Sequence, residues 1–219
     1  MSFNTWTPLA VSSEASDWQG SVWRIVEAQH IASTMKIVDS QFEQNLLESL
    51  LESSKPLPSL LADGLDYLLA TPFRYDPLRG GSRFRSNTDP GVFYGAEWVR
   101  TACAELGYWR WKFLKDAIDL EKIEPVAHTA FRSDVRTLIV DLRKSPFNAD
   151  SDKWLHPKDY SYTQEFSQVA RKANIGGIIY QSVRDPHPTW WLAVHQDEVI
   201  WRRDSEFLTF SFSTMNKSF

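Results

Sequence analysis

The chain has 219 residues, long for one domain and short for two, and 24 Lys and Arg against 28 Asp and Glu leave a net charge of -4. That balance excludes a bulk basic surface for nucleic acid, a lone cysteine excludes a disulfide framework or a cysteine-rich zinc site, and no apolar run approaches the ~20 residues of a membrane span. The N-terminus lacks the basic start and apolar block of a secretion signal, so a soluble, cytoplasmic protein is expected.

Residues 1–17 are polar and aperiodic and read as a loose arm. Ser21–Ala28 alternates as a strand, with Arg24 between Val22 and Val26 in an otherwise apolar segment. Ser40 and Glu43 form a capping box ahead of Phe42, Leu46, Leu47, Leu50 and Leu51, which predicts a helix to about Glu52. Ser53–Ser59 breaks it, and Leu60–Ala70 is a second helix candidate weakened by Gly64. Residues 39–70 therefore read as a helical insertion within one domain spanning 1–219. Thr71–Asn87 is turn-rich, with Arg74, Arg79, Arg83 and Arg85 around Gly80-Gly81. Gly91–Gly95 is a short strand running into a helix over Glu97–Lys115, and Glu121–Arg132 reads as a loop. The remainder is strand-rich: Thr137–Leu142, Gly177–Val183, Trp190–His195, Val199–Arg202 and Glu206–Ser213, with a helix over Ser161–Ala173. This order lacks regular βαβ repetition and predicts an α+β fold.

The chain carries ten Trp, seven Tyr and thirteen Phe. Such a set serves either a bulky core with a protein interface or a pocket for a flat ligand, and composition does not choose. No dinucleotide or P-loop glycine pattern and no HExxH occurs. The five histidines are scattered, which gives a metal site no support, and Cys103 inside a helix reads as a small core residue. On the helix after Glu97, Trp98, Ala102, Leu106, Trp109 and Phe113 share a stripe that predicts the buried face. Glu105 lies at its edge, either snorkelling outward or aimed into a cleft between helix and sheet. Ser182, at the end of GGIIYQSVRDP, shares a strand face with Ile178 and Tyr180, a position that suits a ligand contact as well as an ordinary strand end.

In order, the chain presents GSRFRS (Gly81–Ser86), GVFYG (Gly91–Gly95) and TACAE (Thr101–Glu105), with eleven positions from Arg83 to Tyr94 and eleven from Tyr94 to Glu105. This run resembles the RES-domain family, toxins of bacterial toxin–antitoxin pairs whose fold is similar to that of NAD-dependent ADP-ribosyltransferases. The family's upstream arginine is matched by Arg24 in VWRIVEA and its strand-end serine by Ser182. The family's GGRWN-like turn is altered, with Phe84 and Arg85 in place of the tryptophan and asparagine. The resemblance covers about Ser21 to Val194.

It implies an ADP-ribosyltransferase-like α+β domain with a mixed, strongly bent sheet, and NAD as substrate, cleaved at the nicotinamide–ribose bond. Inorganic phosphate is the implied acceptor of ADP-ribose, with a cellular protein as the alternative acceptor and a non-catalytic binding protein as the alternative class. Glu105, Arg83 and Arg24 are the implied catalytic residues, and Arg24, Arg83, Tyr94 and Ser182 the implied NAD contacts, with no metal. The implied partner is an antitoxin whose helix-turn-helix part binds DNA, so no direct nucleic-acid or membrane contact is expected; a homodimer remains open.

Overall fold

A computed structural model describes residues 6–27, 39–54, 67–74, 81–195 and 200–217. In chain order the elements are α1 (Pro8–Ser13), β1 (Ser16–Glu27), α2 (Gln41–Ser54), α3 (Tyr67–Arg74), β2 (Phe93–Ala96), α4 (Val99–Asp116), β3 (Lys122–Ile123) and β4 (Ala127–Asp141). A 3-10 turn at Phe147–Asp150 leads to α5 (Ser151–Trp154), α6 (Ser161–Lys172), β5 (Gly177–Gln181), β6 (Trp190–Val194), β7 (Ile200–Ser211) and β8 (Met215–Asn216).

The main sheet runs β1-β2-β6-β5-β4-β7, and β1 also returns to pair with β4. The β1–β4 ladder is antiparallel from Ser16↔Ile139 to Glu27↔His128, whereas β4 and β5 are parallel. Strands β1, β2, β6, β5 and β4 thus close a ring of pairings, which requires the mixed, strongly bent sheet expected from the resemblance. The ring is weakest between β1 and β2, which pair at one position, Trp23↔Ala96. That opening is where Arg24 lies.

Alternation along the central strands divides the interior into two layers. Ile178 and Tyr180 of β5, with Trp191 and Ala193 of β6, join one core with Phe84, Phe147, Trp154, Phe166 and Ala170. Ile179, Leu192 and Val194 point the other way, to Val22, Phe93, Phe131, Val135 and Ile139. Both faces are buried, which is why these strands read as nearly continuous apolar runs. The α+β class holds, and most expected elements are present with boundaries moved by a few residues.

Four expectations are corrected. The N-terminal arm is anchored: Thr7 caps α1 by accepting the Ala10 N–H at 3.2 Å, Val11 is buried, and the Trp6 ring lies 4.6 Å from that of Phe147. The segment read as a loop at Glu121–Arg132 contains β3, paired with β8, and the first part of β4, paired with β1 and β7; distant partners rather than a local pattern hold both. The two C-terminal strand candidates are one strand, β7; Val199 lies outside the described residues. Finally, the stripe along α4 and its N-cap Trp98 is only partly a core face: Ala102 is buried, but Trp98 is 55% exposed, Trp109 43% and Phe113 62%, and Thr101 and Leu114, off the stripe, are buried. The capping box is formed, with the Glu43 N–H donating to Ser40 Oγ at 3.2 Å. The Leu60–Ala70 helix candidate lies partly outside the described residues.

Candidate active site

The glycine-led turn after Gly80 is built to hold one side chain. Gly81 has φ +71°, a conformation a Cβ disfavours, and a Cβ there would also run into the Arg85 carbonyl. Ser82 and Arg85 then bond to each other, Ser82 N–H to Arg85 O at 2.7 Å and Arg85 N–H to Ser82 O at 3.2 Å. Phe84 drives its ring fully into the core against Tyr180, with centroids 4.8 Å apart. From α6, Gln164 donates to the Ser82 and Arg85 carbonyls and Ser167 to the Phe84 carbonyl at 2.7 Å. On the opposite side the Tyr94 hydroxyl lies 2.8 Å from Ser82 Oγ and accepts the Phe84 N–H at 3.0 Å. Burial raises the Tyr94 phenol above its ordinary pKa, against these hydrogen bonds and the nearby Arg83 and Arg171.

Arg83, between those anchors, is 8% exposed. It donates to the Trp154 and His156 carbonyls at 2.9 and 3.1 Å, and its guanidinium carbon lies 4.5 Å from the centre of the Tyr160 ring. Arg24 donates to the Tyr94 carbonyl at 3.1 Å and lies over Phe93 at 5.0 Å. Burial lowers its pKa to about 10, with Tyr94 working the other way, so it remains a cation at neutral pH. Its Nε is buried and unpartnered. Among the described residues, neither arginine contacts a carboxylate; their partners are carbonyls and ring faces. Carbonyl dipoles hold a guanidinium without cancelling its charge, so both stay available to an anion.

The carboxylate comes from α4, whose face Ala102, Glu105, Leu106 and Trp109 turns toward these arginines at spacings of three and four residues. Trp109 Nε1 donates to Glu105 Oε1 at 2.7 Å, which orients the carboxylate without neutralising it. The start of α4 is fixed by a buried polar network. Asp185 accepts from Arg100 Nε at 3.0 Å, Thr101 Oγ1 at 2.9 Å and the His187 N–H at 3.0 Å. Burial works to raise the Asp185 pKa, but these donors outweigh it and hold the carboxyl below its usual range. Thr189 adds a bond to Glu97 at 2.9 Å.

Arg24, Arg83, Tyr94 and Glu105 line a single cleft of about 460 Å³, within the range typical of small-molecule sites. Ser182 does not line it. It is buried, and its Oγ accepts the Asp185 N–H at 3.2 Å, closing the turn that carries Val183 to the cleft wall. Sequence reasoning missed Ile25, Tyr160, Tyr180 and Trp191 as lining residues. Tyr180 was signalled by its shared face with Ser182, whereas Tyr160 meets Arg83 through tertiary packing alone. Cys103 is half-buried and burial raises its thiol pKa, which makes it a poor nucleophile. No group of three or more His, Cys, Asp or Glu suited to a metal occurs among the described residues, nor is any described helix long and apolar enough to cross a membrane.

No curated protein matches the chain by sequence. A solved structure, the M. tuberculosis MbcT–MbcA toxin–antitoxin complex, aligns at 11% identity over 91% of this chain and 87% of that one, with a TM-score of 0.48. The RES domain family model matches residues 58–210, a span that includes Arg83, Tyr94, Glu105, Tyr180 and Ser182 and begins after Arg24. With the greater part of its length matched by that model, the chain belongs to the RES-domain family.

Proposed function

We propose that this chain is a toxin that consumes NAD by breaking its nicotinamide–ribose bond and passing ADP-ribose to inorganic phosphate. The observation that carries the reading is the convergence of Arg24, Arg83, Tyr94 and Glu105, from separate parts of the sequence, on one cleft. Cleavage builds positive charge on the ribose, as in other glycoside reactions. The Glu105 carboxylate stabilises that charge and accepts a ribose hydroxyl. Arg24 and Arg83 meet the pyrophosphate or the incoming phosphate with their planar forks. A phosphate oxygen bonds to the anomeric carbon as the bond to nicotinamide breaks, and its electron pair leaves with the ring nitrogen. The departing group is already cationic in NAD, so no general acid is required to expel it.

Tyr94 borders the nicotinamide end, and its hydroxyl keeps the Arg83 turn in place. Ser182 contributes from behind the wall by fixing the 182–185 turn. An antitoxin is the proposed partner; exposed Trp98, ahead of α4, and Trp109 and Phe113 on it supply an apolar surface beside the cleft for it to cover.

The test is nicotinamide release from NAD by purified protein free of antitoxin, with and without phosphate, and mass spectrometry of the products. Release accelerated by phosphate, with a phosphorylated ADP-ribose product, is expected. Intact NAD refutes the reading; free ADP-ribose demotes the reaction to hydrolysis, and ADP-ribose on an added protein moves it to protein modification.

A further inference from the structure

Tyr180 and Trp191 are cross-strand partners on β5 and β6, and both line the cleft. Tyr180 is 6% exposed and its ring packs on Phe84, yet its hydroxyl has no hydrogen-bond partner among the described residues. The indole nitrogen of Trp191 is likewise unpartnered but sealed away, whereas the Tyr180 hydroxyl is not sealed. A buried phenol normally finds a partner within the protein; this one finds none among the described residues and opens onto the cleft instead. A phenylalanine at this position would keep the ring packing on Phe84, so the hydroxyl adds nothing to the protein's own contacts and is directed at whatever the cleft holds. The cleft is where such a partner fits. Burial, together with the nearby Tyr94 and Glu105, raises the phenol well above its ordinary pKa against the opposing effect of Arg83, so at neutral pH it is a donor. The cleft then presents a cationic pair, one neutral donor and one carboxylate acceptor.

We infer that Tyr180 is a further ligand-binding residue, whose hydroxyl donates a hydrogen bond to an acceptor oxygen at the nicotinamide–ribose end of the substrate. The inference rests on the NAD reading above. Its test compares wild type and Tyr180→Phe by thermal melting, by nicotinamide-release kinetics and by calorimetric titration with ADP-ribose, which carries the ribose but no nicotinamide. The expected variant melts no lower than wild type, and its kcat/KM is down by about three- to tenfold, the scale of one neutral hydrogen bond. Its ADP-ribose affinity falls with kcat/KM if the acceptor is a ribose oxygen and stays unchanged if it is the carboxamide. An unchanged kcat/KM with unchanged affinity, in a protein whose wild type turns over, overturns the inference and leaves the function standing. A large drop in melting temperature shows the hydroxyl bonded within the protein and overturns it as well. A wild type that neither releases nicotinamide nor binds ADP-ribose overturns both.

Discussion

Tyr94→Phe separates the two duties assigned to that residue. The substitution keeps the ring and deletes the hydroxyl that accepts the Phe84 N–H at 3.0 Å and meets Ser82 Oγ at 2.8 Å. Phe84 is fully buried, so its orphaned N–H has no ready replacement and costs about 1–3 kcal/mol; the lost Ser82 bond adds about 1 kcal/mol. A total of about 2–4 kcal/mol lowers the melting temperature by about 4–16 °C in a chain of this size. Arg83 keeps its two carbonyl partners and the Tyr160 ring, so it is loosened rather than released. Turnover should fall by about tenfold, the consequence of a displaced anion-binding fork. The assay is a thermal melt beside nicotinamide release, with Ser82→Ala as the comparison that removes only the weaker bond. A Tyr94→Phe protein that melts with wild type refutes the claim that the hydroxyl holds the turn. Lost turnover at unchanged stability would instead assign the hydroxyl to the ligand.

Glu105→Gln keeps an oxygen for the Trp109 indole and the helix propensity while deleting the charge, so folding should persist and turnover drop by about 10²-fold or more; near-wild-type turnover removes Glu105 from the chemistry. Arg83→Lys retains the charge but is unable to reproduce two carbonyl bonds and a ring stack, so KM for NAD should rise severalfold, and an unchanged KM would show that charge alone suffices. Burial, with Arg171 nearby, holds His195 well below the ordinary 6.5, so on acidification the unfolded chain takes up a proton that the folded chain refuses. Stability should therefore decline by about 1.4 kcal/mol per pH unit once pH drops below about 6.5, until the folded pKa is reached. The depressed carboxyls of Asp141 and Asp185 add their loss only below about pH 4. His195→Leu should flatten the melting-temperature slope between pH 6.5 and 5; an unaltered slope refutes the assignment.

Local pattern was enough for the elements whose side chains repeat with a clear period. The apolar run of Ile178, Ile179 and Tyr180 and the helical spacing in α4 made β5 and α4 legible, and Arg83, Tyr94 and Glu105 were named as candidates through the family resemblance that their order carries. Residues held in place by distant partners were not legible. Trp6 and Val11 look like a polar arm until Phe147 and Phe166 supply the surface they cover, and the first part of β4 looks like a loop until β1 and β7 flank it. Periodicity marked the stripe on α4 but not what it faces: Ala102, Glu105, Leu106 and Trp109 border the cleft, while Trp98 and Phe113 are exposed. Tyr160 and Trp191 enter the site because the bent sheet and α6 bring them beside Arg83 and Tyr180. A sequence period reports which residues share a face; which neighbour that face meets depends on how the ring of strands closes, and that is a property of the tertiary structure.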